Sequence, residues 1–229
     1  MNRSEDTIFW FDSKVNVGTQ NAKKIATLNL SVGSKEKDEE IIKVDGNEYR
    51  IWKPHRSKLA TAIINGMEIF PILKKSKVLY FDATVENTAS YISDIVGNDG
   101  KIFVVVNSNK PSNFMQKMVD KRSNVTMIHH TENLAQHKSI NDKVDVIYMN
   151  VSDKNNLDIA ILNSKAYLKD GGYLLLVVKT ADILVNKYGV EPENNQRKKI
   201  RMLFEIIQEV NLADFFKDNT MIIARFLSS

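Results

Sequence analysis

The chain has 229 residues, 43% of them hydrophobic and 26% charged, which is typical of a soluble globular protein with one substantial domain and a small appendage. It contains no cysteine, so disulfides, thiol nucleophiles and thiolate metal sites are excluded, and the net charge of +4 suits either a nucleic-acid partner or an ordinary basic surface. Because neither a signal-like segment nor a membrane-spanning apolar run is present, we expect a cytoplasmic protein.

The first part of the chain reads as a small β subdomain. Short apolar segments separated by glycine-containing turns predict strands at residues 8–11, 25–30 and 41–44. A unit of this size is too short to hold a large core without packing on a neighbour. We therefore divide the chain into a small β subdomain at residues 1–52 and a larger domain at residues 53–229.

From residue 54 onward, helices and strands alternate. A first helix contains Leu59 and ends near Gly66. The segments that follow are mostly continuous apolar runs, as expected of parallel strands buried on both faces. These predicted strands are residues 77–81, 102–106, 125–128, 144–149 and 173–178.

The second half of the larger domain adds two helices and a hairpin. Helical periodicity predicts one helix that buries Leu157 and another that carries an apolar stripe from Ile200 to Val210. The last two strands, at residues 213–216 and 221–227, are too close for a helical crossover and should pair antiparallel. A mostly parallel seven-stranded sheet that ends in such a hairpin predicts the α/β fold of class I S-adenosylmethionine-dependent methyltransferases, although fold alone does not establish activity.

The most specific motif of the chain is YRIWKPHRSKLA at residues 49–60. It resembles the entry to the catalytic domain of fibrillarin, the 2′-O-methyltransferase subunit of box C/D RNA-guided particles. The resemblance spans about residues 41–226, and the lack of a Gly/Arg-rich N-terminal tail matches the archaeal form. It continues at residues 77–80, 93–97, 121–124, 144–148, 168–172 and 178–179.

The resemblance implies a cofactor loop at residues 82–88, where the family has Gly-Ala-Ala-Ser-Gly-Thr-Thr. Here the loop contains no glycine, so its backbone cannot approach a ligand as closely. It also places Asp82 and Glu86 where their carboxylates would crowd the cofactor carboxylate. The loop therefore argues against the cofactor that the fold predicts.

The other walls of the implied cofactor site also depart from the family pattern. The acidic residue that holds the ribose hydroxyls falls on Val106, which removes charge-assisted hydrogen bonds of roughly 1.5–3 kcal/mol. The positions that border the adenine fall on Thr131 and its neighbours, and an Asp-Gln pair falls on Asn155 and Asn156. These changes together predict that no cofactor is bound.

The family's catalytic Lys-Asp-Lys-His set is incomplete. Its lysines are retained as Lys58 and Lys179, whereas the aspartate falls on Asn150 and the histidine on Asn219. Asparagine has nearly the shape of aspartate but cannot accept a proton. No catalytic group is therefore predicted to be intact, and the two lysines are equally compatible with a surface or phosphate-contacting role.

A basic segment at the start of the first helix is the best candidate for RNA binding. It contributes four groups that can carry positive charge beside the implied active site: Lys53, His55, Arg56 and Lys58. The adjacent histidines 129 and 130 lack the spacing and the carboxylates of a metal site, so no metal is expected.

Our leading hypothesis from the sequence is a catalytically inactive fibrillarin-like protein. It would act as an assembly subunit with a Nop-type scaffold protein in a ribonucleoprotein of rRNA or tRNA processing. One alternative is an active RNA ribose 2′-O-methyltransferase with an altered S-adenosylmethionine site. Another is a site for a different small ligand, formed by Asp82, Glu86 and the two lysines. The short strands of the β subdomain also allow a homodimer through edge pairing.

Overall fold

The computed structural model describes residues 9–13, 22–34, 39–82, 87–106, 112–129, 140–151, 156–182 and 195–227. Four antiparallel strands near the N-terminus form a sheet in the order β1-β2-β4-β3. These strands are β1 (Phe9–Ser13), β2 (Ala22–Leu28), β3 (Ile41–Val44) and β4 (Asn47–Trp52). The sequence predicts no strand at β4, because the charged Arg50 interrupts the apolar pattern. In the structure Arg50 is nevertheless only 2% exposed. The domain boundary after residue 52 stays a prediction.

The second sheet has seven strands in the order β10-β11-β9-β8-β5-β6-β7. The five strands from β9 to β7 are parallel, and β11 runs antiparallel to both of its neighbours. The predicted fold class, with its C-terminal antiparallel hairpin and small N-terminal β subdomain, is confirmed. The strands are β5 (Lys77–Asp82), β6 (Lys101–Val106), β7 (Val125–His129), β8 (Val144–Asn150), β9 (Leu168–Lys179), β10 (Phe204–Asn211) and β11 (Asn219–Phe226).

Helices cover both faces of the seven-stranded sheet, which explains why its parallel strands are continuous apolar runs. The first three helices pack on one face together with the N-terminal sheet, and the last two pack on the other. They are α1 (Lys58–Ile64), α2 (Thr88–Val96), α3 (Asn113–Lys121), α4 (Asn156–Tyr167) and α5 (Asn195–Arg201). Within these described elements, no helix is long and apolar enough to cross a membrane.

The prediction of a helix with an apolar stripe from Ile200 to Val210 is wrong beyond residue 201. Helix α5 ends at Arg201, and residues 204–211 form β10 instead. The register of β10 against β11 shifts between Ile206 and Gln208, so Ile207 is an extra residue. Such a bulge moves the later apolar side chains to the opposite face, which produces a spacing that imitates a helix.

A buried ion-pair cluster joins the N-terminal sheet to the larger domain. The Arg50 guanidinium donates to the carboxylates of Glu39 and Asp94, with an N–O distance of 2.7 Å to Asp94. Asp94 also accepts from Arg122 at 2.6 Å, and its side chain is fully buried. Three motif segments that are far apart in the sequence thus meet in one cluster: β4, α2 and the end of α3.

Aromatic groups complete the surroundings of Arg50. Its guanidinium lies 4.3 Å from the centre of the Tyr91 ring, which stacks on Trp52 at 5.0 Å. Burial alone would lower the pKa of Arg50, but Asp94 and Glu39 outweigh it and hold the pKa above its ordinary value. Burial also raises the pKa of Tyr91, whose hydroxyl donates to the carbonyl oxygen of Ile51. Arg50 therefore remains charged and Tyr91 neutral.

Candidate active site

The carboxyl ends of the parallel strands meet at one edge of the large sheet. Ligands of open α/β sheets bind at this edge, because the loops that leave the strands form a crevice there. The last residues of the five parallel strands are Asp82, Val106, His129, Asn150 and Lys179.

Lys58 and Asn150 contact each other at this edge. The Lys58 ammonium donates to Asn150 Oδ1 at 2.7 Å, although the two residues are far apart in the sequence. Lys58 is the first residue of α1, whose N-cap is Ser57: the Ser57 hydroxyl accepts from the backbone N–H of Ala60. Asn150 is 5% exposed and lies opposite Asp82 in the register of β5 and β8. The helix cap and the strand register thus hold this pair in place.

The other two positions of the family's catalytic set lie on neighbouring strands. Lys179 is exposed and stands opposite Asn219 in the register of β9 and β11. The Asn219 amide donates to the carbonyl oxygen of Lys217 at 2.7 Å, so this side chain stabilises the β10–β11 turn. The same turn carries Phe216, whose ring centre lies 5.7 Å from Lys58 Nζ. The structure therefore gathers all four positions at one edge of the sheet.

The start of α2 is suited to an anionic group. Its N-cap, Asn87, makes no side-chain capping hydrogen bond, so among the described residues the N-cap side chain leaves the first backbone N–H groups of the helix open to a ligand. Beside it lies a small cleft lined in part by Glu39, Trp52 and Thr88. The Trp52 indole N–H is buried and has no acceptor among the described residues. A carboxylate bound here could accept from the first backbone N–H groups of α2, and it would lie beside the Glu39 carboxylate, which accepts from the Asn87 amide at 3.3 Å.

Three of the predicted cofactor positions, Glu86, Thr131 and Asn155, lie outside the described residues. Val106 is half-buried and packs against the core beneath α1–α3, so β6 offers no carboxylate to a ribose. Asn156 opens α4, and its side-chain N–H donates to the carbonyl oxygen of Val177 at 3.0 Å. Its Oδ1 is buried and lacks a hydrogen-bond donor among the described residues, so it fits a ligand amino group.

The predicted RNA-binding residues stand next to the Lys58–Asn150 pair. A 3₁₀ turn at Pro54–Arg56 exposes His55 and Arg56, and Lys53 just before it is half-buried. The His55 ring lies 6.4 Å from Phe215, which is 49% exposed. The sequence prediction missed both Phe215 and Phe216 as site residues because it placed a strand at 213–216.

In the described ranges, no three His, Cys, Asp or Glu side chains come close enough to bind a metal ion.

Known proteins are similar to this chain in both sequence and structure. The family model described as Fibrillarin matches residues 7–228. A fibrillarin-like rRNA/tRNA 2′-O-methyltransferase of Pyrococcus furiosus is 38% identical over 205 residues, which cover 89% of this chain and 90% of that protein. The structure of Aeropyrum pernix fibrillarin with natively bound S-adenosyl-L-methionine superposes with a TM-score of 0.78, at 30% identity, over 89% of this chain and 90% of that one.

A third match bears on partners. The structure of a fibrillarin/Nop5p complex is similar to this chain with a TM-score of 0.71, at 30% identity, over 89% of this chain and 94% of that one. The resemblance read from residues 49–60 is thereby confirmed.

The predictions of an inactive protein and of no cofactor are wrong. The relatives are named methyltransferases, and a solved relative carries S-adenosyl-L-methionine. The error has a physical origin, since the prediction rested only on the family side chains that this chain lacks at the pocket walls. It could not detect donors and acceptors that depend on folding, such as the N–H groups at the start of α2 and the buried Oδ1 of Asn156.

Proposed function

Because this chain belongs to the fibrillarin family, we propose that it is an S-adenosylmethionine-dependent ribose 2′-O-methyltransferase that acts on ribosomal or transfer RNA. The observation that supports this most directly is the Lys58–Asn150 hydrogen bond of 2.7 Å at the carboxyl edge of the sheet. It keeps a cation and a carbonyl oxygen together at the place where substrates of this fold react.

The described residues fit the cofactor at two ends. The N-terminus of α2 would receive the carboxylate of S-adenosylmethionine, and Asn156 Oδ1 would accept from its adenine amino group. Val106 offers no hydrogen bond to the ribose hydroxyls between them. Bound S-adenosylmethionine supplies a methyl group activated by the positively charged sulfur. We infer that this chain binds it more weakly than relatives that carry the ribose carboxylate.

Lys58 and Asn150 orient the RNA hydroxyl. The Lys58 ammonium, which Asn150 Oδ1 holds at 2.7 Å, can donate to the ribose 2′ oxygen. Lys179 adds positive charge at the same edge. Asparagine cannot take the hydroxyl proton, which is released to water instead, so the residues of this site contribute positioning and electrostatics. The missing general base predicts a slower enzyme, not an inactive one.

Two measurements on the same protein test this function. Titration calorimetry with S-adenosylmethionine should show binding, and radiolabelled cofactor should transfer methyl groups to the 2′ position of RNA.

Lys58→Ala should lower the transfer rate about 10²-fold with cofactor affinity retained, since the lysine positions the RNA hydroxyl. Lys165→Ala, on an exposed part of α4, is the matched control and should leave both unchanged. Absence of cofactor binding by the wild-type chain would refute the function.

Val106→Glu should tighten S-adenosylmethionine binding about tenfold. The new carboxylate can accept hydrogen bonds from the ribose hydroxyls, and hydrogen bonds to charged groups are among the stronger ones. Val106→Thr keeps nearly the shape of valine and adds no charge, so it serves as the control. Calorimetry on the three proteins measures the difference. Equal affinities for all three would place the ribose away from the end of β6.

We also propose that a Nop-type scaffold carries this enzyme to its RNA, which is supported by the similarity to the fibrillarin/Nop5p complex. Direct RNA contact through Lys53, His55, Arg56 and Lys58 is part of the same proposal and is supported by their place beside the site. A cytoplasmic location and a homodimer stay predictions.

A further inference from the structure

The Lys58 side chain starts at a helix end that disfavours its charge. Lys58 is the first residue of α1, and the first turn of this helix contains no acidic residue. The first backbone N–H groups of a helix carry partial positive charge, and side chains lean toward this end, so an ammonium group is repelled there. Groups from other elements therefore have to stabilise the Lys58 ammonium.

Two uncharged groups from distant elements meet this ammonium. Asn150 Oδ1, at the end of β8, accepts from it at 2.7 Å. The Phe216 ring, on the β10–β11 turn, has its centre 5.7 Å from Lys58 Nζ, which is within the range of a cation–π interaction. The negative face of the ring attracts the ammonium although the side chain is neutral. The ring thus stabilises the cation where Asn150 receives it.

The fold fixes the Phe216 ring before any substrate binds. The Phe216 N–H donates to the carbonyl oxygen of the fully buried Leu212 at 2.8 Å, and the Phe216 carbonyl oxygen accepts from the Asn219 N–H at 3.2 Å. The half-buried ring packs against the core beneath α1–α3. Because the ring is already ordered, it can restrain a flexible neighbour without a further loss of its own entropy.

Lysine needs a restraint of this kind because its side chain is long and flexible. The hydrogen bond to Asn150 fixes one distance but leaves the ammonium able to rotate about that oxygen. The Phe216 ring adds a second fixed point on a separate element. Position matters here because a displacement of about 1 Å at a reacting group can cost about 10²-fold in rate.

We propose that Phe216 is a positioning residue for methyl transfer: its ring holds the Lys58 ammonium against Asn150, in the orientation that meets the ribose hydroxyl. The role rests on the proposed function, because Phe216 acts on the reaction only through Lys58. A ring that merely fills space depends on its size and shape, whereas a cation–π contact depends also on the electron density of the ring face. This difference allows a direct test.

Phenylalanines with one, two and three ring fluorines replace Phe216 in the test. Each fluorine withdraws electron density from the ring face and changes its size little, so the attraction for the ammonium weakens in steps. The logarithm of the single-turnover methyl-transfer rate should fall steadily along the series, to about fivefold below the wild type with three fluorines. The affinity for S-adenosylmethionine should stay the same, because the ring acts on the lysine that positions the RNA.

Natural substitutions give a second comparison. Phe216→Leu keeps an apolar side chain without the ring face and should lower the transfer rate about tenfold, whereas Phe216→Tyr keeps the face and should retain most of the rate. Phe70→Leu is the matched control, because Phe70, between α1 and β5, is also half-buried and packs against the same core. It should leave the rate unchanged. Thermal unfolding of each variant shows whether the fold is intact.

Nuclear magnetic resonance measures the contact independently of methyl transfer. In protein labelled with ¹³C at the ε carbon of lysine, a ring face beside the ammonium shifts the adjacent methylene protons upfield. The Lys58 signal, identified by its loss in Lys58→Arg, should lie upfield in the wild type. It should move toward the signals of the other lysines in Phe216→Leu and stay in place in Phe70→Leu.

Phe216 has no positioning role if Phe216→Leu transfers methyl groups at the wild-type rate, or if the Lys58 signal is the same with and without the ring. A flat fluorine series together with a slow leucine variant would also overturn the role, since the ring would then only fill space. Failure of the proposed function has a different signature, because the wild-type chain would bind no S-adenosylmethionine and transfer no methyl group. The contact would then still appear in the Lys58 signal, while the role in methyl transfer would fall with the function.

Discussion

Replacing Asp94 by asparagine is expected to lower the free energy of unfolding by about 3–5 kcal/mol, the usual cost of removing one partner from a buried ion pair. Asp94 accepts from both Arg50 and Arg122, and its side chain is fully buried. Its loss leaves Arg122, whose side chain is only 7% exposed, without this carboxylate. Chemical denaturation of wild type and variant measures the difference.

An exposed ion pair provides the matched control for this prediction. Asp158 pairs with Lys199 at 2.8 Å, but their side chains are 59% and 42% exposed. Asp158→Asn should therefore change stability by at most about 1 kcal/mol. Adding Arg122→Gln to Asp94→Asn should recover part of the loss, since the second change removes the stranded charge. A loss below 1 kcal/mol for Asp94→Asn would mean that the cluster does not stabilise the fold.

Asn150→Asp is expected to raise the methyl-transfer rate about 10²-fold, at the lower end of what a positioned general base contributes. The aspartate would occupy the same position at the end of β8, within 2.7 Å of the Lys58 ammonium. It could then accept the proton that asparagine cannot. Single-turnover rates at saturating cofactor and RNA measure the chemical step free of product release.

Asn150→Leu supplies the comparison, because it fills the same space without an acceptor and should be slower than the wild type. An Asn150→Asp variant no faster than the wild type would show that proton removal does not limit the rate. Asn219 should be left unchanged in these variants, since its amide holds the β10–β11 turn through Lys217.

Much of the fold could be predicted because its signal is local. Parallel strands buried on both faces are continuous apolar runs, and β5, β6 and β8 lie within one residue of their predicted ends. The first strand of the C-terminal hairpin was misplaced because the bulge at Ile207 breaks the period of two. β4 escaped prediction because Arg50 is a charged residue in its buried half, compensated only by distant partners.

The sequence could predict where the candidate site lies but not whether its pocket can bind a cofactor. Resemblance to a family located Lys58 and Asn150, and the structure places them in contact. Whether a pocket is usable depends also on which buried polar atoms remain unpaired after folding. The Oδ1 of Asn156 and the indole N–H of Trp52 are such atoms, and only tertiary packing makes them so.

The Ser57 hydroxyl has a consequence for the order of binding. It caps α1, where Lys58 begins the helix, and it also accepts from the Thr88 hydroxyl at 2.8 Å, where α2 begins. One buried oxygen therefore joins α1, proposed to orient the RNA hydroxyl through Lys58, to α2, proposed to receive the cofactor. If a ligand bound at one helix end strengthens the Thr88–Ser57 hydrogen bond, each ligand raises the affinity for the other by the same factor, as thermodynamic linkage requires. Under the proposed function, cofactor and RNA would then bind as a cooperative pair.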